Sequence, residues 1–137
     1  MKDMKVALPL LWIFMLLNYL YCDVLSLTDP ANLKEVLAGH AAGGSVQITP
    51  EFLLASAVLM EIPMAMILLS RVLGHRASRW ANVAAAAFMV LVQVGSLGVG
   101  TPTSYYLFFS AIEVGTLVLI AVLALRWVDP EPGLAAA

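Results

Sequence analysis

Charged side chains fall so unevenly along this chain that the gaps between them mark out its elements. Between positions 6 and 28 the only one is Asp23, between 52 and 70 the only one is Glu61, and between 80 and 125 the only one is Glu113. The hydrocarbon core of a bilayer takes about 20 apolar residues of helix. Four stretches reach that length: 6–27, 50–73, 79–99 and 102–128. Strands cross a membrane only as closed barrels, and none of these runs alternates with a period of two. The pattern predicts an all-α integral membrane protein. Its single domain, over 1–128, is a four-transmembrane-helix bundle.

Local punctuation supports these spans. Thr49-Pro50-Glu51 offers an N-cap, a proline for the first helical position and an acid for the first turn. Thr101-Pro102 repeats the cap and proline before the fourth span, and Ser78 can cap the third. Gly74 is placed to follow the second helix, and Gly98 and Gly100 to close the third. The one sizeable loop covers 28–49. Asp29-Pro30 opens a short helix there, with Leu33, Val36 and Leu37 on one face and Gly39 at its end. It reads as an amphipathic helix lying at the membrane surface. The glycine-rich stretch 39–45 reads as a flexible linker. The alanine run 84–87, with Ala81, lets a neighbouring backbone come close, within the chain or across a homo-oligomer.

Composition sharpens the picture. Of 137 residues, 62% are hydrophobic and 12% charged, against about 45–50% and 25% in a soluble domain. Such a chain cannot cover a water-exposed surface, and it has too few charges for disorder. The net charge of −2 lacks the basic footprint that nucleic acid requires. A single cysteine, Cys22, allows neither an intrachain disulfide nor a CxxC pair. Lys2 and Lys5 before an apolar run resemble the start of a signal peptide. The run is longer than such a segment and lacks a small-x-small cleavage site, so it is expected to stay as a span. Lys2, Lys5, Arg71, Arg76, Arg79 and Arg126 fall on one side of the membrane and Lys34 alone on the other. That bias predicts cytoplasmic N- and C-termini and a short cytoplasmic tail over 129–137, frayed around Pro130 and Pro132.

Ionisable residues inside a bilayer cost about 2.5–3.5 kcal/mol on insertion scales and normally face a partner within the bundle. Glu61 and Glu113 each lie near the middle of a span that enters from the outer face, so at about 1.5 Å per residue they reach similar depth. Asn18 is near the middle of the first span, Asp23 a turn closer to the outer surface, and Gln93 at comparable height on the third. Two carboxyls at one level are expected to share a proton or hold a cation between them. The alternative is that each simply hydrogen-bonds a neighbouring helix. Pro63 should free carbonyls within a turn of Glu61, which could add to a cation site or merely kink the helix. Trp12, Leu16, Tyr19 and Asp23 share a stripe on which Tyr19 can hydrogen-bond Asp23. That stripe could bind an amine or be ordinary packing. Tyr105 and Tyr106 fall in an outer aromatic belt, and Trp80 and Trp127 in an inner one. In the cytoplasmic loop, Arg71, Arg76 and Arg79 fix topology and offer contacts to an anion or lipid headgroup. His40 and His75 lie in loops on opposite sides, which leaves paired-histidine metal or haem ligation without support and a metal undetermined. With no nucleophile elbow and no phosphate loop, no cofactor is implied.

Leu11-Trp12-Ile13-Phe14, Asn18-Tyr19, Tyr21-Cys22-Asp23, Glu61-Ile62-Pro63, Leu69-Ser70-Arg71, Arg79-Trp80-Ala81-Asn82 and Glu113-Val114 resemble a family of small bacterial four-span membrane proteins of unknown function. The likeness runs over about residues 5–128. It implies a bacterial inner-membrane protein and carries no assigned activity. More loosely, four short spans with intramembrane acids are similar to the DoxX-like proteins and to sigma-2-receptor-type bundles, an architectural analogy. Three functions fit the residues. The first is binding or transport of a small cationic or lipophilic ligand in a cavity lined by Glu61, Glu113 and Asn18, with Tyr19 and Asp23 at its mouth and proton or cation coupling. The second is a non-catalytic subunit of a larger membrane complex. The third is an intramembrane enzyme acting on a lipid or quinone with a glutamate as general acid/base.

Overall fold

The computed structural model describes residues 3–129. Lys2 and the part of the tail expected to fray, from residue 130 onward, lie outside the described residues. The elements are α1 (Met4–Thr28), α2 (Pro30–Leu37), β1 (His40–Ala41), β2 (Val46–Gln47), α3 (Pro50–Val72), α4 (His75–Leu97) and α5 (Ser104–Arg126). The four long helices are each long and apolar enough to cross a membrane, and at 23–25 residues they span the roughly 30 Å hydrocarbon core. The chain is a multi-pass membrane protein.

Helix starts follow the capping chemistry, with two shifts. Asp29 accepts from Ala31 N with Pro30 at the start of α2, and Thr49 accepts from Phe52 N with Pro50 opening α3. The fourth span begins later than expected, because Thr103 rather than Thr101 is its cap and accepts from Tyr106 N. The third begins earlier, at His75, with Gly74 as a cap that has no side chain to offer. Ser78 therefore lies inside α4, and its hydroxyl donates across to Ser70 O at 3.2 Å. Gly98 caps the end of α4 as expected.

The stretch expected to be a flexible linker is a small hairpin, with His40 opposite Gln47 and Ala41 opposite Val46. Gly100 explains how it is held. Its φ of +69° belongs to the left-handed region, and a Cβ there would collide with the carbonyl of Ala42. The α4–α5 turn thus lies directly against the hairpin backbone.

In the bundle, α1 packs on α3 and α5, and α4 packs on the same two helices. The short α3–α4 connection makes those helices antiparallel, and Lys5 near the start of α1 donates its Nζ to Arg71 O and Leu73 O at the end of α3. Those carbonyls have no intrahelical donor, so the ammonium caps them and complements the negative end of the helix. Leu8, Trp12, Met15, Met66, Ala86, Met89, Leu117 and Ile120 form the core. Ala86, fully buried among them, shows the alanine run serving a contact within the chain. Outward, Leu10, Leu20, Leu54, Leu68, Leu91 and Phe108 are exposed, as suits helices solvated by lipid.

Polar side chains are turned inward. Near the α3–α4 end, Asn82 Oδ1 accepts from Trp12 Nε1 at 2.7 Å and from Ser70 Oγ at 3.0 Å. Its Nδ2 donates to Ser78 O at 2.8 Å. One amide therefore joins α1, α3 and α4. Transmembrane side-chain hydrogen bonds average about 0.6 kcal/mol and reach about 1.7, so the cluster fixes helix register as much as it adds stability.

Candidate functional site

The α5 face that turns inward carries Ser110, Glu113, Thr116, Leu117, Ile120 and Ala124, at the three- and four-residue spacing of one helical stripe. Glu113 is 2% exposed, and its Oε1 finds no hydrogen-bond partner among the described residues. The hydroxyl of Tyr19, on α1, is also buried without a partner. Tyr19, Cys22 and Asp23 lie within electrostatic reach of Glu113. Two helices therefore place unsatisfied oxygens in one region of the bundle.

Hydrogen-bonded groups continue from there toward the loop end. Gln93 Nε2 donates to Ser110 Oγ at 2.7 Å, one turn from Glu113. Ser96 Oγ donates to Gln93 O at 2.7 Å and lies 2.6 Å from Tyr106 OH. Because the serine proton is committed to the carbonyl, the tyrosine is the donor in that contact. Ser96 and Tyr106 in turn line a cavity of about 470 Å³ beneath α2 and the hairpin. Asp29, Glu35, Phe52 and Tyr105 also line it, and among the described residues no basic one does. Tyr105 OH donates to Asp29 Oδ2 at 3.3 Å. The arrangement is an acidic, aromatic mouth whose hydrogen-bonded side chains end at Ser110, one turn from a buried carboxyl.

The pair expected from depth alone does not assemble. Glu61 is exposed on the outside of α3. The inward positions of that helix are Pro63, Met66 and Ser70, and at about 100° per residue Glu61 lies roughly 140–180° around from them. Asn18 does not reach the interior site either: its Nδ2 donates to Phe14 O in its own helix at 2.8 Å. The expected Tyr19–Asp23 hydrogen bond is absent, and Asp23 is exposed. Trp12 is no wall for a ligand, since it is fully buried with its N–H held by Asn82. Among the basic residues, Arg71 and Arg76 are exposed and Arg79 is half-buried. No group of three or more potential metal ligands occurs among the described residues.

From the sequence, Tyr106 belongs only to an interfacial belt, and Ser96 and Ser110 carry no role. The signal was present for two of them, since Tyr106, Ser110 and Glu113 recur at helical spacing.

A family model matches residues 1–133. The chain belongs to DUF6326, a family of unknown function. No curated protein and no solved structure matches it. For this DUF6326 member the chemistry of the interior is the guide to function.

Proposed function

We propose that the protein binds, and carries across or within the membrane, a small cationic or amphiphilic amine, with Glu113 as the acidic centre and proton or cation exchange at its carboxyl. The observation that carries this reading is the pair of buried, unpartnered oxygens on Glu113 and Tyr19. A buried polar group left without a partner costs about 1–3 kcal/mol. An ammonium donates to a carboxylate and a phenol oxygen together, which removes both deficits. The cavity above has Asp29 and Glu35 to attract a cation and Phe52, Tyr105 and Tyr106 to offer aromatic faces. Asp23 adds negative charge near the same path.

The setting proposed is a bacterial inner membrane with both termini in the cytoplasm. Six basic residues at one end against Lys34 at the other support that orientation. A loosely DoxX-like architecture is proposed as part of the same reading. A homo-oligomer belongs to the same reading, because an acid exposed at mid-helix, Glu61, is costly against acyl chains and is relieved by a second copy.

The test uses the purified full chain in lipid nanodiscs with radiolabelled 2-phenylethylamine as probe. Saturable binding is expected, falling at least tenfold in Glu113→Gln and severalfold in Tyr19→Phe. Equal binding by wild type and both variants, or none by wild type, overturns the reading.

A further inference from the structure

The opposite end of the bundle holds a second cavity, of about 490 Å³, between the start of α4 and the end of α5. Three guanidinium groups line it, from Arg76, Arg79 and Arg126. Arg76 and Arg79 lie in or next to the first turn of α4, where the positive end of the helix makes a cation unfavourable. That turn holds no acid and its cap contributes no side chain. Asp129 is the one acidic lining residue among the described residues, and it is turned to His75 Nδ1 at 3.6 Å and is 69% exposed. His75 is held on its other side by Trp127 O at 3.1 Å. Arg79 Nε is buried and has no acceptor among the described residues. Its guanidinium lies 5.7 Å from the Trp80 ring centroid, so the ring steadies it without neutralising it.

Three like charges around one cavity, with no carboxylate in an ion pair with them among the described residues, repel one another unless an anion joins them. The anion must offer several oxygens, because each guanidinium presents a fork of donors that matches phosphate oxygens two at a time. Trp80, Leu125 and Val128 are exposed beside the cavity and provide apolar surface next to the charges. We propose that this cavity binds a phosphate anion, supplied by an anionic phospholipid headgroup or by free phosphate. Arg76, Arg79 and Arg126 hold its oxygens, while Trp80 and Trp127 flank it at the depth where indoles favour the interface. The site contains neither Glu113 nor Tyr19 and lies at the end of the bundle away from the cavity lined by Asp29 and Tyr105.

The experiment is native mass spectrometry of the full chain carrying phosphatidylglycerol or phosphatidylcholine, repeated with inorganic phosphate as competitor. Wild type should retain phosphatidylglycerol at least fivefold over phosphatidylcholine. Arg79→Gln and Arg126→Gln should each remove that preference. Arg71→Gln, which deletes the same charge outside the cavity, should change it less than twofold. Displacement by millimolar phosphate identifies free phosphate as a ligand, and resistance to it identifies the lipid; both support the site. Equal retention of the two lipids, or a loss in Arg71→Gln matching that in Arg79→Gln, overturns it. Arg126 is exposed, so its variant keeps the test available if Arg79→Gln does not fold. Retained 2-phenylethylamine binding in Arg126→Gln would separate this site from the Glu113 reading.

Discussion

The indole N–H of Trp12 donates to Asn82 Oδ1 at 2.7 Å, from α1 across the bundle to α4. The same oxygen accepts from Ser70, and the amide nitrogen donates to Ser78 O. Replacing the amide by an apolar side chain of similar size strips a partner from two buried donors at once. Asn82→Leu should cost about 1–3 kcal/mol, read as a lower midpoint in detergent denaturation. Ser70→Ala removes only one of those donors with little loss of volume and leaves Asn82 Oδ1 partnered by Trp12, so it should cost about 1 kcal/mol or less. Equal effects from the two would contradict the shared-acceptor geometry.

Gly100 gives a second prediction, confined to the outer end. Gly100→Ala adds a Cβ against the Ala42 carbonyl at a backbone angle L residues avoid. The hairpin should lift from the α4–α5 turn while the spans stay intact. Limited proteolysis should cut within 40–47 several times faster than in wild type, with unchanged helical circular dichroism. Unchanged cleavage would show that the hairpin is not held there.

Glu61 makes the oligomer testable. Its outward position on α3 predicts that a second copy covers it. In a Cys22→Ser background, Ala57→Cys, one turn from Glu61, should form disulfide-linked dimers in membranes. Leu91→Cys on α4 should not. Glu61→Gln keeps a hydrogen-bonding group and should keep the crosslink, while Glu61→Leu should reduce it severalfold. A crosslink indifferent to Glu61→Leu would detach this residue from assembly.

Much of the fold is legible in the sequence because membrane insertion imposes a one-dimensional rule. Gaps between charges locate spans regardless of packing, and Asp29-Pro30 and Thr49-Pro50 mark helix starts by local chemistry. The shifted starts arise where local signals compete. Thr101 and Thr103 both flank Pro102, so local chemistry offers two caps, and Thr103 is the one whose side chain accepts from Tyr106 N. Gly74 has no side chain to announce it as a cap, so Ser78 looked like the better one. The azimuth of Glu61 was hidden for a different reason. Its helix is apolar on nearly every side, and depth along an axis carries no information about direction around it. On α5 the direction was readable, because Ser110, Glu113 and Thr116 share a stripe.

Infrared difference spectroscopy of the full chain in nanodiscs, recorded with and without 2-phenylethylamine, addresses the carboxyl itself. The account predicts a carboxyl-band change on binding that disappears in Glu113→Gln and persists in Glu61→Gln and Asp23→Asn. A band change that survives Glu113→Gln, or vanishes in Glu61→Gln instead, would contradict it.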